Sequence, residues 1–553
     1  MSQAYQPPSF ESQIDLDLSR NEGSPTITEI GLGADEIAAL TSRYPSTTDL
    51  REVLAGRHGL GPDRVLVTAG GDDALFRCFL SVAGSSVVAT TPSFEMIRRY
   101  TAQLETPLIE VPWWEGDFPV AGFLKEAEAS PGMGVVVSPN NPTGNAIDQA
   151  DLRKVAEAYP LLVLDAAYTE FADEDLTMVA LEMGNVVVVK TLSKAFGLAG
   201  LRIGYLLGSA EAVVALSGYG SPYAVSSLSA ALARRVLDQP STAVASRVAE
   251  VTANRERLGA SLDRLGVKPL PSQANFVLAT ETDPDWLVPA AASLGVGLRR
   301  FEDRPELRRS VRITVPGEER DLVRLEETLR SVLSPQAVLF DMDGVLVDVS
   351  MSFRKAIVAT AAGFGVEVTQ DDIVAAKAAG NASDDWELTR GLCADAGVNL
   401  SFDSVRDAFE KIYQGDSATP GLKFDERLFV DIELLQQWSE VLPLGVVTAR
   451  PRKDALEVLE RFDIGRFFGV VIAREDAPSK PDPAPVRLAM ERLGVKYGWM
   501  VGDTVDDLRA ARGAGVVPIA VGNEGDDRQA LGMAARVLGS VNDLKEVFDG
   551  AAR

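Results

Sequence analysis

Val186-Val-Val-Val-Lys-Thr-Leu-Ser-Lys194-Ala-Phe-Gly197 runs from an unbroken apolar stretch into a lysine set among small residues. Consecutive valines without polar alternation predict a strand buried on both faces, as in a parallel sheet. Val135-Val-Val-Ser138 and Leu161-Leu-Val-Leu164 read the same way, with helical patterns between them. Such strand–helix alternation predicts an α/β fold. Upstream, Val65-Leu-Val-Thr68 is a further short strand, followed by Gly70-Gly71 and a helical run from Asp72. Downstream, an amphipathic helix near Leu322–Leu333 ends in Ser334-Pro335. A second α/β series then starts at Ala337-Val-Leu-Phe340 and resumes at Leu444-Gly-Val-Val-Thr448. Between these two strands, Phe353 to Trp438 is rich in Ala, Leu and charge at helical spacing, which predicts an inserted helical subdomain. The expected organisation is a domain over 1–333, a linker at 334–336 and a second domain over 337–553, with the insertion at about 350–440.

Length and composition agree with two globular domains. The chain has 553 residues, more than one core usually holds. Hydrophobic residues make up 46% and charged residues 24%, which argues against long disorder. The formal net charge of -26 repels phosphate backbones, so no nucleic-acid partner is expected. Two cysteines, Cys78 and Cys393, cannot build a disulfide framework; both read as core and fit a reducing, cytoplasmic setting. No apolar stretch is long enough for a bilayer, and Met1–Arg20 lacks a signal-peptide pattern, so no membrane partner is expected. The one histidine, His58, leaves almost no room for a zinc–histidine site and reads as a surface residue near a turn.

Several residues of the first half carry chemistry at strand ends. Lys194 follows an apolar strand, where partial desolvation suits a nucleophilic amine. Asp165 ends the strand Leu161–Leu164, on the edge where α/β sheets meet ligands. A buried carboxylate there matches a pyridinium nitrogen, the partner a pyridoxal cofactor needs. Tyr168 and Asn141, in Ser138-Pro-Asn-Asn141-Pro-Thr-Gly144, bring a phenol and an amide to the same edge. Gly70-Gly71-Asp72 opens a helix whose free N–H groups suit a phosphate, and Arg202 adds a bidentate phosphate ligand.

With these residues stand Arg43-Tyr-Pro45, Thr191–Tyr205, Pro271-Ser-Gln-Ala-Asn-Phe276 and Arg312-Ile-Thr314. Taken in order, residues 10–333 resemble a fold-type I pyridoxal-phosphate aminotransferase, and within that group the histidinol-phosphate aminotransferases. The resemblance implies that Lys194 is the Schiff-base lysine and moves the proton between Cα and the cofactor. It implies that Asp165 keeps the ring nitrogen protonated and that Asn141 and Tyr168 hold the phenolic oxygen. Gly71, Asp72, Ser193 and Arg202 would bind the phosphate, and Phe94 would stack on the ring where the family usually has tyrosine. Tyr44 would reach the phosphate of a neighbouring subunit, which implies a homodimer through this domain. Arg312 would grip the carboxylate of the amino-acid donor. The resemblance also implies that Asn21 belongs to an N-terminal segment that closes over substrate, and there Gly23-Ser24 replace the family's frequent Asn-Pro. Arg299 and Arg300 are candidates for a substrate phosphate, but two adjacent residues of one strand cannot both point inward.

In the second half, Phe340-Asp341-Met-Asp343-Gly places two carboxylates two residues apart after a buried strand. Carboxylates at a strand's C-terminal end suit a hard cation such as Mg²⁺. One of them can attack phosphorus and the other can protonate the leaving oxygen. Thr448 ends another strand, Lys480-Pro-Asp-Pro483 supplies a fixed cation, and Val501-Gly-Asp503-Thr-Val-Asp506-Asp507 brings further carboxylates. These motifs, in this order over about residues 337–545, resemble the haloacid dehalogenase superfamily of phosphohydrolases. The resemblance implies Asp341 as nucleophile and Asp343 as general acid/base, with Thr448 and Lys480 on the phosphoryl group. It also implies an Mg²⁺ site of Asp341, Asp503 and the Asp343 carbonyl, supported by Asp507. The helical insertion sits where the phosphoglycolate-phosphatase and β-phosphoglucomutase branch carries a small cap, which implies a small phosphate ester as substrate and leaves both a phosphatase and a mutase open.

Together the halves imply a bifunctional enzyme of histidine biosynthesis. The first would make histidinol phosphate from imidazole acetol phosphate and glutamate, and the second would hydrolyse it to histidinol. The alternative keeps both chemistries on another phosphorylated amine or amino acid. A non-catalytic pyridoxal-binding regulator is the reading from a different class.

Overall fold

The computed structural model describes residues 6–23, 31–129, 132–378, 384–416, 419–522 and 531–551; Ser24 lies outside them. Contacts divide the chain into two compact units. The first comprises the residues up to Pro8, Leu18–Thr282 and Leu298–Val323; the second comprises Ser9–Asp17, Asp283–Gly297 and Arg324 onward. The expected junction at 334–336 separates the helix Glu319–Leu333 from the strand Ala337–Phe340. A tryptophan accounts for the segment Asp283–Gly297 of the second unit. Trp286 Nε1 donates to Val332 O at 3.2 Å, and its ring meets Trp499 edge-on at 5.2 Å. Trp499 Nε1 in turn donates to Ser331 O at 2.9 Å.

The first unit is built on a seven-stranded sheet. Its order is Val65–Thr68, Gly204–Leu207, Val186–Thr191, Leu161–Asp165, Met133–Val137, Val87–Thr91 and Leu108–Pro112. The last five run parallel, and Gly204–Leu207 is antiparallel to both of its neighbours. Met133–Val137 and the valines 186–189 are buried at every residue, as their unbroken apolar runs require. Leu75, Cys78 and Phe79 of the helix Gly70–Ser81 pack into the sheet's main apolar cluster. Asp165 pairs in register with Val137 and Val189. The loops carrying Asn141 and Lys194 therefore leave the sheet at one level, beside Asp165.

Two side readings resolve here. Cys78 is fully buried, and burial pushes its thiol up to about 12. His58 caps the helix Thr48–Arg57 beside the turn at Gly59 but is not a free surface residue. Its Nε2 lies 3.1 Å from Tyr205 Oη. Partial burial, with the Lys190 charge adding, pulls its pKa down to about 4.

The second unit contains a six-stranded, all-parallel sheet. Its order is Phe468–Ile472, Leu444–Val447, Ala337–Phe340, Gly498–Gly502, Val517–Val521 and Val537–Leu538. Phe340 pairs with Val446 and Val501, so the residues that follow each strand converge on one edge. The insertion holds the helices Phe353–Gly363, Gln370–Ala378, Asp385–Asp395 and Phe402–Gln414. They close an apolar cluster of their own around Ile357, Cys393, Phe409 and Tyr413. A short antiparallel ribbon, Val347–Asp348 with Arg427–Leu428, joins the insertion to the core. The next helix, Ile432–Val441, packs with the core: Trp438 stacks on Phe340 at 6.0 Å and on Phe548 at 5.8 Å.

Candidate active sites

A cavity of about 330 Å³ opens at the strand ends of the first unit. Among its lining residues are Gly71, Asp72, Phe94, Asn141, Asp165, Tyr168, Ser193, Lys194 and Arg202, each expected at such a site. Arg20, Glu22 and Thr191 line it as well, and of these Arg20 was not singled out from sequence. Asn141 Nδ2 and Asn21 Nδ2 both donate to Tyr168 Oη, at 3.4 and 3.1 Å. Lys194 is half-buried; its Nζ donates to Asn21 O at 3.0 Å and lies 5.6 Å from the centre of the Tyr168 ring.

Close backbone approach shapes this site. Gly204 faces the Gly70–Gly71 peptide so closely that any Cβ would run into the Gly70 carbonyl carbon. This lets the start of the helix Gly70–Ser81 settle on the sheet with its free N–H groups at the cavity. Gly23 lies against the Lys194 carbonyl, where a Cβ would likewise collide. Asn21 takes φ 54°, in the left-handed region that asparagine tolerates better than most residues. Its backbone N–H donates to Thr314 Oγ1 at 3.0 Å, and Thr314 Oγ1 donates to Asn21 Oδ1 at 3.0 Å. Thr314 thereby fixes the N-terminal segment over the lysine.

Electrostatics single out Asp165. Its burial pushes the carboxyl up to about 7; the Ala167 N–H at 3.1 Å and Lys194 oppose this, and the Asp72 charge adds to it. A buried carboxyl facing a cavity suits a cationic ring nitrogen. Arg202, half-exposed, donates through NH2 to Asp72 Oδ2 at 3.0 Å at the helix start. Ser193 N and Oγ both meet Thr191 Oγ1, at 3.2 and 3.0 Å. Cation, hydroxyls and free helical N–H groups together form a donor set that fits a phosphate. The residues present therefore fit pyridoxal phosphate.

The remaining expected residues are not among those lining this cavity. Arg312 is buried and donates to Asn141 Oδ1 at 2.6 Å and to Ser19 O at 2.8 Å. Arg299 donates to Glu95 Oε2 at 3.2 Å, whereas Arg300 pairs outside with Glu302 at 3.2 Å. The two arginines diverge as strand alternation requires. Tyr44 is 82% exposed, stacks on Tyr223 at 4.7 Å and does not line this chain's cavity.

The second unit brings Asp341, Asp503 and Asp507 together, each with a carboxylate oxygen within 4.8 Å of the others. An all-oxygen set at the ends of parallel strands fits a hard divalent cation. Gly344, at φ 79°, lies so close to Asp503 that a Cβ would strike its carboxylate. Asp507 is locked by a capping box with Thr504 at the start of the helix Val505–Ala514. Lys480 Nζ lies 2.6 Å from Asp341 Oδ1 and 2.5 Å from Asp507 Oδ1, and donates to Val447 O at 3.2 Å. Burial works against the lysine's charge, but Asp341 and Asp507 outweigh it and raise its pKa. For Asp341 burial dominates; with Asp507 and Asp343 nearby, Lys480 does not keep its pKa from rising. Thr448 is buried, and its Oγ1 accepts from Arg450 N at 3.1 Å.

Asp343 points elsewhere. Its carboxylate is not in the three-aspartate group but is held by Arg450, Nε and NH2 lying 2.7 and 2.5 Å from Oδ1. Arg450 was not singled out from sequence. It stands two residues beyond Thr448, and its partners Tyr413 and Glu426 come from the insertion and its return, so no local motif marks it.

Residues 18–328 match the family Aminotransferase class I and II, and residues 335–515 match haloacid dehalogenase-like hydrolase. A histidinol-phosphate aminotransferase from Thermococcus kodakarensis is 35% identical over 283 residues, covering 51% of this chain and 81% of that protein. An imidazoleglycerol-phosphate dehydratase from Phytophthora nicotianae is 46% identical over 195 residues, covering 34% of this chain; the chain spans only 43% of that protein. Among solved structures, histidinol-phosphate aminotransferase from Sinorhizobium meliloti in complex with pyridoxal-5'-phosphate aligns with a TM-score of 0.51 at 26% identity. That alignment covers 57% of this chain and 91% of the other. The first match spans over half the sequence and encloses the whole cavity around Lys194: the chain belongs to the class I and II aminotransferase family and is an enzyme carrying a haloacid dehalogenase-like hydrolase domain behind its aminotransferase domain.

Proposed function

We propose that the chain catalyses two consecutive steps of histidine biosynthesis. The first is transamination of imidazole acetol phosphate by glutamate to histidinol phosphate. The second is Mg²⁺-dependent hydrolysis of that ester to histidinol. One observation carries the reading: a chain whose first unit is similar to histidinol-phosphate aminotransferases sets, in its second, a buried lysine between carboxylates at the ends of parallel strands. The product of the first reaction is a phosphate monoester, the class of substrate such a site attacks. The name of the Phytophthora relative also refers to an imidazole phosphate ester.

Pyridoxal phosphate, when bound, supplies an electron sink for the bonds at the substrate's Cα. Gly71, Asp72, Ser193 and Arg202 would hold its phosphate, Asp165 its ring nitrogen, and Asn141 with Tyr168 its phenolic oxygen. Lys194 Nζ takes and returns the proton at Cα. Arg312 binds the donor's carboxylate from beside Asn141, and Asn21 shields the lysine from water. The domain works as a homodimer, with Tyr44 completing the neighbouring site.

In the second unit Asp341 attacks phosphorus and Asp343 protonates the departing ester oxygen. Lys480 and Thr448 hold the phosphoryl oxygens, which gather charge as the bond breaks. Asp341 and Asp503, with Asp507 beside them, would hold Mg²⁺, which would supply further charge neutralisation. Phosphate release from histidinol phosphate, with Asp341→Asn as control, tests this half. Rapid release abolished by the substitution supports it. Release from a generic ester but not from histidinol phosphate would move the substrate to another phosphorylated amine.

A further inference from the structure

Arg450 belongs to none of the phosphoryl-transfer stations, yet it is among the most tightly held side chains of the second unit. Only 1% of it is exposed. Its Nε and NH2 lie 2.7 and 2.5 Å from Asp343 Oδ1. Through NH1 it donates to Tyr413 Oη at 2.8 Å, and through NH2 to Glu426 Oε1 at 2.9 Å. Its guanidinium carbon lies 4.7 Å from the centre of the Phe353 ring. Phe353 opens the first helix of the insertion and Tyr413 lies in the last turn of its last helix. Glu426 immediately precedes the return strand Arg427–Leu428. Glu426 is fixed in turn by Ser352 Oγ at 3.1 Å, by Tyr413 Oη at 3.0 Å and by Arg461. One buried cation thus grips Asp343 on one side and both ends of the insertion on the other.

Both bonds from Arg450 to Asp343 go to Oδ1, so Oδ2 is the oxygen that this guanidinium does not engage. A planar guanidinium that binds through two N–H groups fixes direction as well as distance. We infer that Arg450 is a positioning residue that aims Asp343 at the leaving oxygen of a phosphate ester, and that the aim depends on the seating of the insertion through Tyr413 and Glu426. The inference rests on the reading of this domain as a phosphomonoester hydrolase. In the step concerned, an Asp341 carboxylate oxygen bonds to phosphorus and the bond from phosphorus to the ester oxygen breaks. The proton on Asp343 passes to that oxygen, which leaves as an alcohol; water later takes the phosphoryl group and restores Asp341.

Leaving-group dependence separates aim from general integrity. Alkyl esters such as histidinol phosphate and glycerol phosphate need the proton; p-nitrophenyl phosphate releases a stable phenolate without it. The full chain with Mg²⁺ is assayed on these esters as wild type, Arg450→Lys, Tyr413→Phe and, as benchmark, Asp343→Asn. Arg450→Lys is expected to lower kcat on the alkyl esters about 10²-fold, with KM and the p-nitrophenyl phosphate rate within about threefold of wild type. Tyr413→Phe keeps the ring and removes one hydroxyl, and is expected to show the same selective loss at about tenfold. Equal losses on both ester classes, or an unchanged alkyl rate in Tyr413→Phe, would overturn the inference alone. Wild-type protein inert toward every ester would overturn the hydrolase reading and the inference with it.

Discussion

Lys480 Nζ sits 2.6 Å from Asp341 Oδ1 and 2.5 Å from Asp507 Oδ1, one buried cation between two buried carboxylates. Removing it leaves those charges uncompensated, a change that costs about 3–5 kcal/mol in buried pairs. Lys480→Met should therefore lower the thermal stability of the second unit and make it depend on added Mg²⁺. Phosphate release should fall by about 10²- to 10³-fold or more, since the phosphoryl oxygens lose their fixed cation. Calorimetry with and without Mg²⁺, beside a phosphate assay, checks both; transamination should be unaffected.

Asp165 predicts a pH dependence. Its folded pKa is raised to about 7, above the value of 3.8 usual for an aspartate. The folded apoprotein then binds more protons than the unfolded chain between those values, so stability falls as pH rises. The contribution is fully present below about pH 4 and is lost as pH rises through about 7. Melting of the apoprotein from pH 5 to 8 should show this loss, and Asp165→Asn should flatten it. Bound pyridoxal phosphate should do the same, because under the proposed function its ring nitrogen would pair with the carboxylate.

Gly23 lies against the Lys194 carbonyl with no room for a Cβ. Gly23→Ala must lift the N-terminal segment away from the lysine, an overpacking change that costs about 1–3 kcal/mol. Transamination should drop at least about tenfold, with phosphate release unchanged. Separate assays of the two activities on one preparation check this.

The three aspartates of the second unit predict metal dependence confined to one activity. Chelation should abolish phosphate release and Mg²⁺ should restore it, while amino transfer continues. Asp503→Asn should raise the Mg²⁺ concentration needed for half-maximal rate by about tenfold or more. A metal titration of each activity reads the result.

Much of this was legible in the sequence because apolar runs and the chemistry after them are local signals. Val186–Thr191, Leu161–Asp165 and Ala337–Phe340 form strands where their valines and leucines place them, and Lys194, Asp165 and Asp341 follow directly. What escaped depends on residues far apart in the chain. Thr314 holds Asn21 across 293 residues, and Arg450 meets Asp343 across 107. Trp286 lies within the stretch matching the aminotransferase family yet packs with Trp499 of the second unit, which no periodicity in its own helix reveals. Gly204 reads as an ordinary residue of a strand until the Gly70 backbone is found against it.

The most direct test supplies imidazole acetol phosphate, glutamate, pyridoxal phosphate and Mg²⁺ to the full chain and follows histidinol phosphate, histidinol and inorganic phosphate together. The account predicts histidinol and phosphate in equal amounts from wild type, histidinol phosphate alone from Asp341→Asn, and no product from Lys194→Ala. Failure of Asp341→Asn to form histidinol phosphate, in a preparation that binds pyridoxal phosphate, would contradict it.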